Sequence, residues 1–535
     1  MKINSPEDLK KLTPEEKKEY AEALRSIIIN TVSENGGHLA SNLGVVELTI
    51  ALHSVFDSPR DKIIWDVSHQ SYAHKLITGR CDDFHTLRKP GGISGFTNPA
   101  ESPHDVFTFG HAGASISAAL GLAKARDLQG EDNKIIAVIG DGSIGCGLCF
   151  EALNNLAASK TDLIVVLNDN TMSISRNVGA FAKHLSRLRL KKKLAKRYKD
   201  IRGILAPLPG GSFIYSAIKG IINGFIRLFQ SQQGVLFEEM GMSYLGPYDG
   251  HNIAEMEEVL RAASQLKGGV LLHVLTKKGM GYTHAEKHPD TFHGIGAFEQ
   301  ESGEVIAAAS TPSFTSVFSN KLLQMGEADK RVTAITAGMA DGTGIKAFAS
   351  RFPERSFDVG ISEAHAVTFA AGLAKGGRLP VAAIYSTFLQ RAYDSIAHDI
   401  CLQKLPVILA IDRAGLVGDD GPTHHGAFDI AYLRHLPNIT LTAPRNGKML
   451  EQLMDLAAKN TLATAIRYPR GAAPAPLPSE ESLVFANEAQ CLRDGSDAVI
   501  AAVGPMVYTA IEAADILAGD GISLEVWDPV FLKPD

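Results

Sequence analysis

Between Ile135 and Met172 the chain alternates strand-like and helix-like stretches in a pattern that few architectures can accommodate. Ile135-Ile136-Ala137-Val138-Ile139 is a short β-branched run of the kind that parallel sheets bury on both faces, and it breaks at Gly140-Asp141-Gly142. A helical segment follows over residues 150–156, and a second apolar run, Leu163-Ile164-Val165-Val166-Leu167, delivers Asn168-Asp169-Asn170 about 26 residues after the first turn. Both polar turns are therefore expected at the C-terminal ends of neighbouring strands, the edge of an α/β sheet where ligands bind. A carboxylate, an amide oxygen and a carbonyl from the next turn are hard ligands for a small octahedral cation that shares its shell with phosphate oxygens, which favours Mg2+. Glycines around Asp141 let backbone approach a diphosphate, and the following helix directs its positive end toward it.

The paired turns, Gly140-Asp141-Gly142 and Asn168-Asp169-Asn170, resemble the signature of thiamine diphosphate enzymes. A lone Gly-Asp-Gly is as easily an ordinary turn; the spaced Asn-Asp-Asn is what carries the resemblance.

A length of 535 residues implies two large α/β domains and a remainder. The net charge of −6 gives no electrostatic footprint for nucleic acid, and no apolar run is long enough to span a bilayer. The N-terminus lacks the apolar core of a signal peptide, and five cysteines suit a reducing compartment better than a disulfide scaffold. A cytoplasmic location is expected.

Ser5-Pro6-Glu7-Asp8 and Thr13-Pro14-Glu15-Glu16 each predict a helix start, with a hydroxyl cap, a proline and first-turn acids. Downstream, His38, His69 and His111 each stand just beyond a helix or strand in a Gly- or Ser-bearing turn. One such histidine alone is more often a hydrogen-bonded structural group. Several at element ends around one phosphate site suggest imidazoles that move protons near neutral pH. Cys and carboxylate partners at zinc-ligand spacing are missing. Cys146 and Cys149 form a Cys-x-x-Cys that reads as two small buried helix residues rather than a redox pair. The basic stretch 187–199, the break Pro207-Leu208-Pro209-Gly210-Gly211 and the amphipathic stretch 213–229 suggest a solvated face, a lid hinge and a packed helix. Residues 284–310 lack periodicity and are expected to link two domains.

The second domain restarts the alternation with runs at 332–335, 357–359, 380–385 and 407–411, which argue for a doubly wound parallel sheet. Its polar residues cluster after strands: Glu363-Ala364-His365, Ser386 to Arg391, Asp412-Arg413, then Asp420 and His424, and finally Arg467-Tyr468-Pro469-Arg470-Gly471.

The run Ile384-Tyr385-Ser386-Thr387-Phe388-Leu389-Gln390-Arg391-Ala392-Tyr393-Asp394, with Arg413-Ala414-Gly415 and the 467–471 run, closely resembles the 1-deoxy-D-xylulose-5-phosphate synthases. The resemblance implies homodimers that use thiamine diphosphate and Mg2+ to join pyruvate to glyceraldehyde 3-phosphate with loss of CO2, the first step of the methylerythritol phosphate route to isoprenoids, with a product that also feeds thiamine synthesis. It implies Asp141, Asn170 and the Met172 carbonyl as metal ligands, Glu363 as the carboxylate that activates the cofactor, and Phe388 as a platform for its pyrimidine. His69, His111, Gly140 and Gly142 fall on the cofactor side of that pattern. Tyr385, Arg413 and Arg470 match residues that hold the acceptor's phosphate. Arg391, Asp420 and His424 match groups at the substrate mouth, and His38, His69 and His293 those nearest the reacting carbons. Departures from the pattern are Ser68 for glycine, Ala364 for glutamine, and Pro422 and His425 flanking His424.

On this reading residues 1–283 form a diphosphate- and metal-binding α/β domain, 284–312 a linker, 313–475 a pyrimidine-binding α/β domain, and 476–535 an incomplete C-terminal domain with one βαβ unit and open strand edges. Transketolase-type ketol transfer and a cofactor-binding paralogue without turnover are the competing readings. The 385–391 and 467–471 runs weigh against the first, and Asp141, Asn170 and Glu363 against the second.

Overall fold

The computed structural model describes residues 3–170, 178–180, 182–186, 235–306, 312–477 and 488–533. Contacts divide the chain into two units, Met1–Ile306 and Ala307–Asp535. The basic stretch 187–199, the break at 207–211, the stretch 213–229 and Met172 lie outside the described residues.

In the first unit five strands form one sheet: β1 (Lys62–Trp65), β2 (Ile135–Gly140), β3 (Leu163–Asp169), β4 (Ser243–Asp249) and β5 (Gly269–Leu275). All pairs are parallel, in the order β1-β2-β3-β5-β4. One face buries Trp65, Val138, Val166 and Leu272 in a cluster with Leu48 and Leu52 from helix Val46–Val55 and Met256 and Leu260 from helix Ile253–Gln265. Burial of that kind is why β2 and β3 read as unbroken apolar runs. Strand β4 has no such signature, because it is half-exposed, carries Gly246-Pro247 and lies at an edge where proline is tolerated. Both N-terminal helix starts are present: Ser5 caps Pro6–Lys10, and Thr13 with Glu16 forms a capping box on Pro14–Asn35.

Two expectations change here. Asn168 and Asp169 are the last residues of β3 rather than a turn, because β3 pairs with β5 through Asp169↔Leu275. Residues 284–306 are not a bare linker: Phe292, Ile295 and Phe298 are buried in the first unit's core with Val32 and Tyr72, and Gly37 bridges Ile295. The segment has no periodicity because it is held by irregular backbone pairing.

The second unit holds β6 (Val332–Thr336), β7 (Ser356–Asp358), β8 (Leu379–Tyr385), β9 (Ile408–Asp412), β10 (Ile439–Thr442) and β11 (Ala463–Arg467). Beyond them come β12 (Gln490–Arg493), β13 (Ala498–Ala501), β14 (Leu524–Asp528) and β15 (Phe531–Lys533). The large sheet runs β15-β10-β11-β9-β8-β6-β7, parallel except for β15, with apolar clusters on both faces. Its strand order reverses between β6 and β8, a switch point of the kind that hosts ligands. The C-terminal segment folds as a β12-β14-β13 sheet under helix Met506–Gly519. β12 and β13 are the edges of this small sheet, as expected, while β15 leaves it to add to β10 at the edge of the large sheet and the buried pair Arg445–Asp528 (2.6 Å) ties the segment to the loop after β10. No helix among the described residues is long and apolar enough to cross a membrane.

A fully buried chain of polar groups braces the first unit: His53 Nε2 lies 2.9 Å from His74 Nδ1, and His74 Nε2 lies 2.9 Å from Asp105, which Arg80 grips with two bonds of 2.7 and 2.8 Å. Burial pushes His74 down to about 4, so it folds neutral. Burial would raise Asp105, but hydrogen bonds from His74 and Arg80 hold it well below the carboxylate range. Because the folded value of His74 lies below the imidazole value of 6.5, its contribution to stability is complete above 6.5 and is lost as pH falls toward 4. The melting temperature should therefore decline across that window, and His74→Gln should flatten the decline; an unchanged slope would contradict the neutral assignment.

Candidate active site

The first unit's polar groups gather at the C-terminal edge of its sheet. Strand β2 ends at Gly140, and the Asp141 N–H donates to the Asn168 carbonyl (3.1 Å), locking the turn against β3. Asp141 is buried and Asn170 half-buried, one strand apart. A Cβ on Gly140 would meet no atom within 4 Å, so the backbone there faces open space. Helix Gly147–Ser159 follows the turn, longer at both ends than expected. Asp169 points elsewhere: it is buried and paired with His273 Nε2 (2.9 Å), whose Nδ1 meets the Tyr244 hydroxyl (2.8 Å). Cys146 and Cys149 are buried thiols packed under Gly113.

Asp66, just past β1, accepts from the N–H groups of Gly113 (2.9 and 3.0 Å) and Ser115 (3.1 Å), which fixes the loop carrying His111. His38, His69 and His293 come together, with ring centroids 5.4, 5.8 and 5.2 Å apart pairwise. His293 Nδ1 lies 3.0 Å from Lys278 Nζ and 3.2 Å from Ser41 Oγ. Burial, with the cations around it, holds His293 well below the imidazole range. Burial also lowers Lys278 to about 8, against the pull of Asp141 and Asp290. Sequence reasoning missed Lys278 and Asp66; the basic pair Lys277-Lys278 directly after β5 was the available signal.

In the second unit Glu363 opens helix Glu363–Lys375 and is 4% exposed. Burial raises its carboxyl, opposed by Arg391, whose Nη1 lies 3.8 Å away. Tyr385, the last residue of β8, stacks on Phe388 (5.7 Å, 10°), and the Arg413 guanidinium sits 4.3 Å from the Tyr385 ring centroid. His424 meets Phe388 edge-on at 5.6 Å. Arg413 holds a left-handed backbone (φ 57°) immediately after β9, a strained placement that aims it across the sheet end. Arg470 binds Asp419 (3.0 Å) and the Val417 carbonyl (3.3 Å), so it reaches the loop that also carries Asp420.

The departures have local explanations. Ser68 keeps the positive φ (66°) that glycine would take, and its hydroxyl accepts from the Thr97 N–H (3.1 Å). His425 Nδ1 accepts from the Val417 N–H (3.1 Å), and Pro422 sits in the first turn of a short 3-10 helix, Gly421–Thr423. Ala364 is exposed, and nothing around it explains the choice.

Two parallel α/β sheets with these polar ends define a transketolase-type, thiamine diphosphate-dependent enzyme. Residues 1–276 match the sequence profile described as 1-deoxy-D-xylulose-5-phosphate synthase, 310–476 that of the transketolase pyrimidine binding domain, and 487–534 that of the transketolase C-terminal domain. The 1-deoxy-D-xylulose-5-phosphate synthase of Heliobacterium modesticaldum is 50% identical over 100% of this chain and 82% of its own length. Those of Pelotomaculum thermopropionicum and Carboxydothermus hydrogenoformans are each 51% identical, over 99% and 100% of this chain and 83% and 85% of their own. The chain belongs to the 1-deoxy-D-xylulose-5-phosphate synthase family.

Proposed function

We propose that the chain condenses pyruvate with D-glyceraldehyde 3-phosphate to 1-deoxy-D-xylulose 5-phosphate and CO2, using thiamine diphosphate and Mg2+, as a cytoplasmic homodimer. The observation that carries this reading is the burial of Glu363 at a helix start, a carboxyl whose proton is held more tightly than usual. The donor set suits the cofactor's charged end as well: Asp141 and Asn170 offer hard oxygens, and Gly140 leaves room for a diphosphate oxygen. Asp141, Asn170 and the Met172 carbonyl would hold Mg2+, with the His111 loop beside the diphosphate.

When bound, thiamine diphosphate supplies the electron sink that lets pyruvate lose CO2. Glu363 would hold a proton toward the aminopyrimidine, and Arg391, 3.8 Å away, favours the ionised carboxylate and so partly offsets the effect of burial. Phe388 would give the pyrimidine an aromatic platform. Arg413 and Arg470 present guanidinium groups to the acceptor's phosphate, with Tyr385, Asp420 and His424 beside them. In the first unit the Lys278 ammonium donates to His293 Nδ1, which leaves the His293 proton on Nε2 as a donor for a developing oxyanion. His38 and His69 complete an imidazole group able to pass protons.

The test is CO2 release from pyruvate with thiamine diphosphate and Mg2+, with and without glyceraldehyde 3-phosphate. Release that the aldehyde accelerates, with deoxyxylulose phosphate as product, is expected. Pyruvate left intact while the cofactor binds would overturn the assignment.

A further inference from the structure

Two loops supply His38 and His69, and the backbone before His69 is under strain. Val67 and Ser68 both adopt left-handed conformations (φ 58° and 66°), and Val67 is β-branched. Side chains rarely adopt such a backbone, so a loop of this shape relaxes unless something holds it.

One side chain holds both loops. Asn42, fully buried one turn after His38, donates from Nδ2 to the His38 carbonyl (2.6 Å) and the His69 carbonyl (2.8 Å), while its Oδ1 accepts from the Tyr72 N–H (2.8 Å). Only this orientation of the amide satisfies two carbonyls and one N–H, so the assignment of nitrogen and oxygen follows from the partners. Tyr72 closes the loop of contacts, its hydroxyl accepting from the His38 N–H (3.2 Å). Tyr72 is itself fixed in the core, edge-on to Phe84 (5.8 Å). His38 is thus gripped at both its N–H and its carbonyl, and His69 at its carbonyl, by two side chains that bond the backbone.

We propose that Asn42, acting with Tyr72, is a positioning residue that sets the spacing of the His38 and His69 rings. The proposal rests on the reading that these histidines serve the reaction. No other side chain of the right kind could replace the amide: aspartate offers no donor to the two carbonyls, and alanine leaves two carbonyls and an N–H buried without it. Misplacing a reacting group by about 1 Å costs on the order of a hundredfold in rate, so the expected penalty falls on turnover and not on substrate binding.

The experiment uses the full chain with histidine labelled at Cε1, its His38 and His69 signals assigned with His38→Gln and His69→Gln. In Asn42→Ala both signals should move while that of His104, which bonds Ser58 instead, stays in place. The kcat per folded chain should fall about tenfold to a hundredfold with both KM values little changed. Tyr72→Phe keeps the core ring and removes the hydroxyl that accepts from the His38 N–H, so it should move the His38 signal more than that of His69. Unmoved histidine signals in folded Asn42→Ala, or an unchanged kcat, overturn the proposal. Should Asn42→Ala fail to fold, the Tyr72→Phe spectrum decides: a His38 shift larger than that of His69 supports the latch, and an unmoved His38 signal overturns it. Should the parent chain release no CO2 from pyruvate, the assigned reaction falls, and the histidine signals alone decide the latch.

Discussion

Glu363→Gln is expected to lower pyruvate turnover by about 10²–10⁴-fold while thiamine diphosphate still binds in the presence of Mg2+. The amide matches the carboxyl in volume, so the packing around a residue that is 4% exposed survives the change. What is lost is a group that can hold or release a proton. The groups proposed for the diphosphate and the metal, Asp141 and Asn170, stand at a different sheet edge in the first unit, so their contribution to affinity persists. The same substitution should not weaken the fold. Burial raises the Glu363 carboxyl above its unfolded value. The folded chain therefore binds that proton more tightly, stability increases as pH falls through the folded value, and at higher pH the ionised carboxylate is a cost to the fold. A neutral amide removes the cost, so Glu363→Gln should melt no lower than the parent at neutral pH. Calorimetric cofactor binding, melting curves and CO2 release on one preparation check all three. Turnover within tenfold of the parent would remove Glu363 from the mechanism.

How legible the site was depended on how each residue is held. Asp141 and Asn170 sit where apolar strands end, and the strands announce themselves because β2 and β3 are buried at successive positions on both faces. The same logic located Glu363, Tyr385 and Arg413 at the ends of β7, β8 and β9 or just beyond. It failed where pairing, not patterning, makes the strand: β4 at a half-exposed edge, β12 with its bulge, and three-residue β15. It failed again at 284–306, whose core residues Phe292, Ile295 and Phe298 follow no helix or strand period. Asp169 shows the opposite error. It belongs to the motif by position, yet its side chain is taken up by His273, a partner 104 residues away that no local reading could supply. Lys278, Asp66 and Asn42 were missed for a related reason: each acts through another residue's backbone or ring, and such roles leave no spacing signal.

Gly342→Ala should raise the KM for glyceraldehyde 3-phosphate about a hundredfold, equivalent to about 3 kcal/mol, and leave cofactor affinity nearly unchanged. Gly342 follows β6 at the point where the sheet's strand order reverses, and a Cβ there would clash with the Tyr385 hydroxyl and lie 3.0 Å from Met339 Cε. Such a clash cannot persist, so one partner must move. Met339 can swing aside, but Tyr385 cannot do so cheaply: it is buried, stacked on Phe388 at 5.7 Å and covered by the Arg413 guanidinium at 4.3 Å. Burial also pushes its phenol up to about 12, so it stays a neutral hydroxyl donor throughout the working range. Displacing that ring disturbs two of the three groups assigned to the acceptor's phosphate, Tyr385 itself and Arg413, while Arg470 remains on its own loop. Gly372→Ala is the matched control, since a Cβ there meets nothing within 4 Å and the position lies inside helix Glu363–Lys375. It should leave both KM values alone and stabilise the helix by up to about 1 kcal/mol. If Gly342→Ala folds like the parent and binds the aldehyde phosphate as well, then Tyr385 does not help to hold the acceptor, and the phosphate site must be rebuilt around Arg413 and Arg470 alone.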